Sequence, residues 1–390
     1  SVIFLRHLLT ISAVFGIILS AEDFIMLKRF EVSGFKNFKD TITLDFSDVR
    51  NYNFSTSCIT DKTIGKMIIY GKNSVGKTNF GLALFDIVSH LTPKNVTPGL
   101  YDYYLNVSCL TDYAEFHYVF QFDDNVIDYR YRKLDNQSLI YEKLVLDGSL
   151  LYEFDYRKHK GIMDGITKLA PTLNWAFQET DCILKYFINN TVLSDTHPLR
   201  RMFKYVNNML WFRNLDENRY IGYKSRSNDY YEFIFDEAMR KEFESVLHEA
   251  GIDENLTVKT DPDGKKTLYY DTDTPLPFFK VSSNGTKALY TFFYWYKTAA
   301  DVSLMFIDEF DAFYHYELSE SVVSILEKMA NTQVILTSHN TNLLTNRIMR
   351  PDCYFLLTKD KLTSLANATP RDLREGHNLE KLYMSGEFNV

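Results

Sequence analysis

Met67-Ile68-Ile69-Tyr70-Gly71-Lys72-Asn73-Ser74-Val75-Gly76-Lys77-Thr78 is an apolar run that breaks into a glycine-hinged loop and closes on a lysine and a hydroxyl. Its last eight residues fit the pattern GxxxxGK[ST], in which each residue type has a physical task. Gly71 and Gly76 permit backbone turns that aim successive N–H groups at one anion. Lys77 reaches the β- and γ-phosphates of a triphosphate, and the Thr78 hydroxyl is placed to ligate Mg²⁺. Lys72, Asn73, Ser74, Val75 and Asn79 complete the cradle. Residues 78–87 read as a helix whose N-terminal dipole adds to the anion site. A strand before and a helix after are the context the motif requires, so a nucleoside triphosphate, expected to be ATP, is the implied ligand.

The second half of the chain supplies matching chemistry. Ser303-Leu304-Met305-Phe306-Ile307-Asp308-Glu309 is a buried-strand pattern that ends on two carboxylates. Ligands of open α/β sheets bind at the carboxyl ends of such strands. Asp308 is expected to support Mg²⁺, and Glu309 to act as general base toward the attacking water. A plain strand with an acidic turn is the bland alternative, and the upstream phosphate loop argues against it. Gln333-Val334-Ile335-Leu336-Thr337-Ser338 ends on His339, which is placed to sense the γ-phosphate. Val281-Ser282-Ser283-Asn284-Gly285-Thr286 opens a helical run, so Ser283 and Gly285 form either a second anion site or a simple helix cap.

Taken in order, phosphate loop, Ser-Ser-x-Gly, Ile-Asp-Glu strand and Thr-Ser-His resemble an ATP-binding-cassette ATPase of the SMC-like branch. The opening Met26-Leu27-Lys28-Arg29-Phe30-Glu31-Val32-Ser33-Gly34-Phe35-Lys36-Asn37-Phe38 resembles that branch's first strand and turn. The tail, with Arg371-Asp372-Leu373-Arg374 and His377 to Tyr383, is similar to AAA ATPases of bacterial anti-phage loci, RloA-like and OLD-related. The resemblance spans nearly everything from Met26 onward and implies an α/β P-loop NTPase of the ABC/SMC-head type. It implies that Lys77, Glu309 and His339 are catalytic and that Thr78 and Asp308 hold Mg²⁺. Ser283 and Gly285 would contact the γ-phosphate of an opposing subunit, and Asp311 would lie in the cross-subunit loop. Asn284 and Thr286 replace part of the usual glycine-rich signature, and no Q-loop glutamine is assigned. Gln121 lies in an alternating strand and reads as solvent-facing.

Composition agrees with a globular chain: 390 residues, 15% aromatic and 24% charged. The formal net charge of −8 is opposite to that of a generic nucleic-acid binder. Arg157-Lys158-His159-Lys160 and His197-Pro198-Leu199-Arg200-Arg201 are the compact basic clusters, and each reads as solvated surface. Cys58, Cys109, Cys182 and Cys353 are scattered without metal-ligand or redox spacing, as expected of reduced thiols in the cytoplasm.

Residues 1–25 form an apolar leader that resembles a signal peptide or marginal anchor. Secretion conflicts with ATP chemistry, so an over-extended reading frame or another artefact is the simpler account. From there the expected organisation is an N-terminal ATPase lobe over 26–160, with an added antiparallel layer of strongly alternating residues from Asn106 to Glu153. A helical insertion follows over 161–250, then a C-terminal lobe over 251–390. Asp123-Asp124-Asn125 and Asp261-Pro262-Asp263-Gly264 read as turns between strands.

Missing features also discriminate. There is no sustained heptad run for long coiled-coil arms, no multi-span segment, and only about fifty residues after His339 for any further nuclease domain. The expected function is an ATP-hydrolysing switch that closes as a homodimer or higher homo-oligomer and controls a separate effector protein in anti-phage defence. The alternative is an ATP-dependent nucleic-acid clamp or DNA-end sensor. A small-molecule kinase fits the water-activating carboxylate pair less well.

Overall fold

The computed structural model describes residues 25–175, 182–214, 219–224, 229–329 and 331–388. The leader expected over residues 1–25 lies outside this set except for Ile25.

One sheet is built from β5 (Lys66–Tyr70), β11 (Leu210–Arg213), β12 (Tyr220–Gly222), β16 (Leu304–Asp308), β17 (Gln333–Ser338), β18 (Tyr354–Leu357) and β19 (Leu362–Ser364), with strands numbered in chain order. Their order is β12-β11-β16-β17-β5-β18-β19. The central five run parallel, and the two edge strands are antiparallel to their neighbours. Every residue of β5, β16 and β17 is buried. That is why residues 67–70, 304–307 and 334–336 within them read as apolar runs: a parallel sheet covered on both faces leaves no polar side for alternation.

The second sheet is antiparallel throughout. It contains β1 (Ile25–Ser33), β2 (Ile42–Asp45), β6 (Ala114–Phe122), β7 (Asn125–Lys133), β8 (Leu139–Leu146), β9 (Ser149–Asp155) and β10 (Lys160–Ile162), in the order β10-β9-β8-β7-β6-β1-β2. The Asp123-Asp124 turn joins β6 to β7, with Asp123 in the left-handed region at φ 51°. Gly34 leaves β1 at φ 70°, and a Cβ there would fall 2.3 Å from the Tyr113 carbonyl oxygen, so only glycine fits. A short ribbon, β3 (Ile59–Thr60) with β4 (Thr63–Ile64), and a small sheet of β13 (Leu256–Thr260), β14 (Lys266–Tyr270) and β15 (Leu276–Pro277) complete the strands described. Asp261 to Gly264 forms the turn between β13 and β14, as its residue types require.

The helix Lys77–Leu84 lies between the two sheets. Gly81 faces the parallel sheet so closely that a Cβ would sit 2.7 Å from the Phe306 ring. Phe80 meets Phe30 of β1 edge-on, with ring centroids 5.8 Å apart. Gln333 ties the sheets directly. Its buried amide accepts the Leu27 N–H at 2.8 Å and donates to the Leu27 carbonyl at 3.1 Å. Just beyond the helix, Asp86 is fully buried and accepts from Lys133 (2.8 Å), Tyr131 (2.9 Å) and Tyr104 (2.7 Å). A carboxylate held in this way satisfies its lone pairs without water.

The stretch 161–250 carries more than helices. Helices at Asp164–Leu169, Ile183–Asn190, Pro198–Asn207 and Glu237–Glu249 are present, but β11 and β12 interrupt them, and β11 pairs with β16. Leu210-Trp211-Phe212 is short and fully buried, and a run of that kind has no periodicity that separates strand from helix. Among the described residues no helix is long and apolar enough to cross a membrane.

Candidate active site

The phosphate loop leaves β5 at Gly71, where a Cβ would meet the Leu357 carbonyl oxygen at 2.8 Å. Ser74 and Gly76 take φ values of 66° and 105°, so the backbone curls into a concave run of N–H groups. Lys72, Asn73 and Ser74 are exposed, whereas Val75 and Gly76 are half-buried. Asn37, from the turn between β1 and β2, closes the loop from behind. Its Nδ2 donates to the Val75 carbonyl at 2.7 Å, and its Oδ1 accepts from Asn79 Nδ2 at 2.7 Å. A Cβ on Gly76 would lie 2.3 Å from the Asn37 amide, so this closure depends on glycine.

Three segments far apart in the chain converge here. Lys77 Nζ donates to the Gly71 carbonyl at 3.0 Å and lies 2.6 Å from His339 Nε2. Thr78 Oγ1 donates to Asp308 Oδ2 at 2.7 Å. Thr337 Oγ1 donates to Asp308 Oδ1 at 2.8 Å and accepts the Glu309 N–H at 2.7 Å. Glu309 itself has φ 50°, a conformation that side-chain-bearing residues seldom adopt and that tends to occur at functional sites. The sheet order explains the convergence. β5, β17 and β16 are consecutive and parallel, so their carboxyl ends share one edge.

The electrostatics follow from this crowding. Burial is the largest influence on Lys77 and lowers its pKa, while Asp308, Glu309 and Asp311 pull it back up. Burial and then the Lys77 charge lower the pKa of His339, so the imidazole favours its neutral form and offers Nε2 as acceptor. Burial raises the Asp308 pKa, and hydrogen bonds from Thr78 and Thr337 oppose that rise. Asp311 accepts from Ser338 Oγ at 2.6 Å and is pushed up to about 6 by burial.

Two residues that the sequence did not single out join the site. Arg213 ends β11, in parallel register with Asp308. Its Nε lies 3.4 Å from Asp308 Oδ2 and its Nη2 3.3 Å from Glu309 Oε2. Asn37 is the other. The available signal for Arg213 was an apolar triplet closing on a charge, the same pattern that marked Asp308.

Ser283 and Gly285 stand apart from this group. Ser283 caps the helix Asn284–Thr298, accepting the Thr286 N–H at 3.1 Å. Gly285 abuts the segment after the carboxylates, where a Cβ would be 3.2 Å from the Phe313 carbonyl oxygen. Among the described residues no hydrogen bond or ion pair joins either one to the phosphate loop. The basic cluster at His197 to Arg201 is only partly surface. Arg201 is buried, with Nη1 2.6 Å from Asp123 Oδ2. Gln121 is half-exposed on β6, its amide donating to the Asp123 carbonyl at 3.1 Å.

Residues 66–345 match the family model described as "AAA domain, putative AbiEii toxin, Type IV TA system". The chain belongs to this family. Comparison of the AAA-domain chain with curated proteins gives no match. Solved structures similar to it include an SMC head bound to the C-terminal winged-helix domain of ScpA. That structure is 14% identical, with a TM-score of 0.44, and the match covers 87% of this chain and 97% of that one. An SMC head domain from Thermotoga maritima is 11% identical, with coverage of 87% and 98% and a TM-score of 0.39. RecF with ATP, from the RecFOR pathway, is 11% identical, with coverage of 88% and 99% and a TM-score of 0.40. The α/β fold of this AAA-domain protein, a mostly parallel sheet carrying the phosphate loop together with an antiparallel sheet, is read from its own strand order.

Proposed function

We propose that this AAA-domain protein binds ATP with Mg²⁺ and hydrolyses it to ADP and phosphate. The observation carrying the reading is the meeting of Lys77, Thr78, Asp308, Glu309 and His339 at one sheet edge from separate segments. Thr78 Oγ1 and Asp308 Oδ2 lie side by side as hard oxygen donors, a set that suits Mg²⁺. When bound, the ion neutralises charge on the phosphate oxygens and orients them. The loop N–H groups and Lys77 hold the β- and γ-phosphates, and Lys77 leaves its His339 contact to do so. Glu309 takes a proton from the attacking water as the bond to the leaving diphosphate breaks. Before that step His339 reads the γ-phosphate, and Arg213 keeps the two carboxylates oriented between turnovers.

This chemistry supports a wider role as a switch. Two subunits close on ATP, with Ser283 and Gly285 of each facing the γ-phosphate held by the other and Asp311 at the seam. They open after hydrolysis and so hold or release an effector. An anti-phage setting of the RloA-like and OLD-related kind, in the cytoplasm, fits the resemblance of the sequence. The nucleic-acid clamp is less well supported, because Arg201 is engaged inside the fold rather than presented to a duplex. The deciding experiment is to measure phosphate release with Mg²⁺ and to size the Glu309→Gln chain with and without ATP. Turnover by the wild-type chain, with an ATP-dependent dimer of the variant, is expected. Absence of turnover sinks the enzyme reading, and an unchanged monomer sinks the closure.

A further inference from the structure

A cavity of about 470 Å³ opens well away from the phosphate loop, between the helix Asp86–Leu91, the turn joining β7 to β8 and the helix Ile183–Asn190. Its wall includes Lys94, Lys133 and Lys185 together with the amides of Asn136, Asn189 and Asn190. No aspartate or glutamate lines it. No residue of the phosphate loop, β16 or β17 lines it either.

The three lysines are held differently. Lys133 is buried at the base, with its ammonium against Asp86 and the Asn136 carbonyl. Lys94 donates to the Tyr223 carbonyl at 2.9 Å. Among the described residues the Lys185 ammonium has no ion-pair partner. The carboxylates nearest the wall are occupied from behind. Asp86 receives Lys133 and two tyrosines, and Asp135 receives the N–H groups and hydroxyl of its own turn. Glu142, under the floor, receives Tyr129, Tyr156 and the Ile183 N–H. Each oxygen of these carboxylates already accepts at least one hydrogen bond from the protein. His90 in the wall is held neutral, by burial first and then by the Lys133 and Lys185 charges.

A concave site of this volume suits a molecule of metabolite size. Lys133 is already paired with Asp86, but the Lys94 and Lys185 ammonium groups have no ion pair among the described residues and favour phosphate, and side-chain amides can pair with sugar or base polar atoms. We propose that this cavity binds a small phosphorylated molecule, at a site separate from the phosphate loop. The assignment does not depend on ATP hydrolysis.

The test uses the full chain carrying Lys77→Ala, so that the phosphate loop is disabled, with calorimetric titration of inorganic pyrophosphate and of adenosine 5′-monophosphate. One equivalent of at least one probe should still bind. Adding Lys185→Ala, or in a second chain Lys94→Ala, should weaken that binding at least fivefold. Lys259→Ala, on β13 and outside the cavity, should leave it within twofold. Both lysine side chains lie at the edge of the fold, and an unchanged melting temperature confirms that each variant is folded. The proposal is overturned if neither probe binds the Lys77→Ala chain. It is equally overturned if the cavity variants change affinity less than fivefold, or if Lys259→Ala weakens it as much.

Discussion

Arg213 and Glu309, 96 residues apart in sequence, face each other across β11 and β16 with Nη2 3.3 Å from Oε2. The same guanidinium reaches Asp308, which is fully buried. Taking the cation away leaves Asp308 charged and under-compensated in a site that desolvates it. Arg213→Met should cost about 1–3 kcal/mol of stability, toward the low end because the arginine is partly exposed. Urea unfolding measures that cost. Phosphate release by the same variant should fall as well, because Glu309 loses the partner that orients it.

Glu309→Gln keeps the shape of the side chain and removes its basicity. Turnover should drop about 10²- to 10⁴-fold, the usual worth of a positioned general base. ATP binding should persist, because the loop and Lys77 are untouched. Equal losses of binding and turnover would show that Glu309 does something other than activate water.

Lys133→Met breaks the buried pair between β7 of the antiparallel sheet and Asp86 of the helix Asp86–Leu91. Leaving one buried charge alone costs about 3–5 kcal/mol. Chemical denaturation should show a loss of that size. Asp86→Asn combined with Lys133→Met should recover part of it, because neither charge then remains.

Asp311 gives a pH signature. Its folded pKa of about 6 lies above its ordinary value of 3.8. Between those values the folded chain keeps a proton that the unfolded chain has released, so stability falls as pH rises through that window. The full effect is on the order of 3 kcal/mol, reached above about pH 6 and absent below about pH 4. Asp311→Asn retains an acceptor for Ser338 and does not titrate. It should therefore gain on the wild type by about 2–3 kcal/mol between pH 4 and pH 7 in matched urea titrations. A constant difference would show that Asp311 is not buried as described.

Much of the site was legible because its parts are local. The phosphate loop, the Asp308-Glu309 pair and the His339 strand each announce themselves within a dozen residues. The same holds for the antiparallel layer, where alternation from β6 to β9 is strong and the Asp123-Asp124 turn is chemically specific. Arg213 and Asn37 were not legible, because each enters the site only through the sheet order or through a turn folding back on the loop. β11 was hidden for a related reason. Leu210-Trp211-Phe212 has no alternation of its own, and only its pairing with β16 and β12 makes it a strand.

The helix that follows the phosphate loop is a wedge shared by two walls, with Gly81 pressed on Phe306 and Phe80 on Phe30. Both walls pack directly on it. Whatever grips its leading end is felt by β1 and β16 together, and the closest approach depends on a residue that has no side chain to interpose.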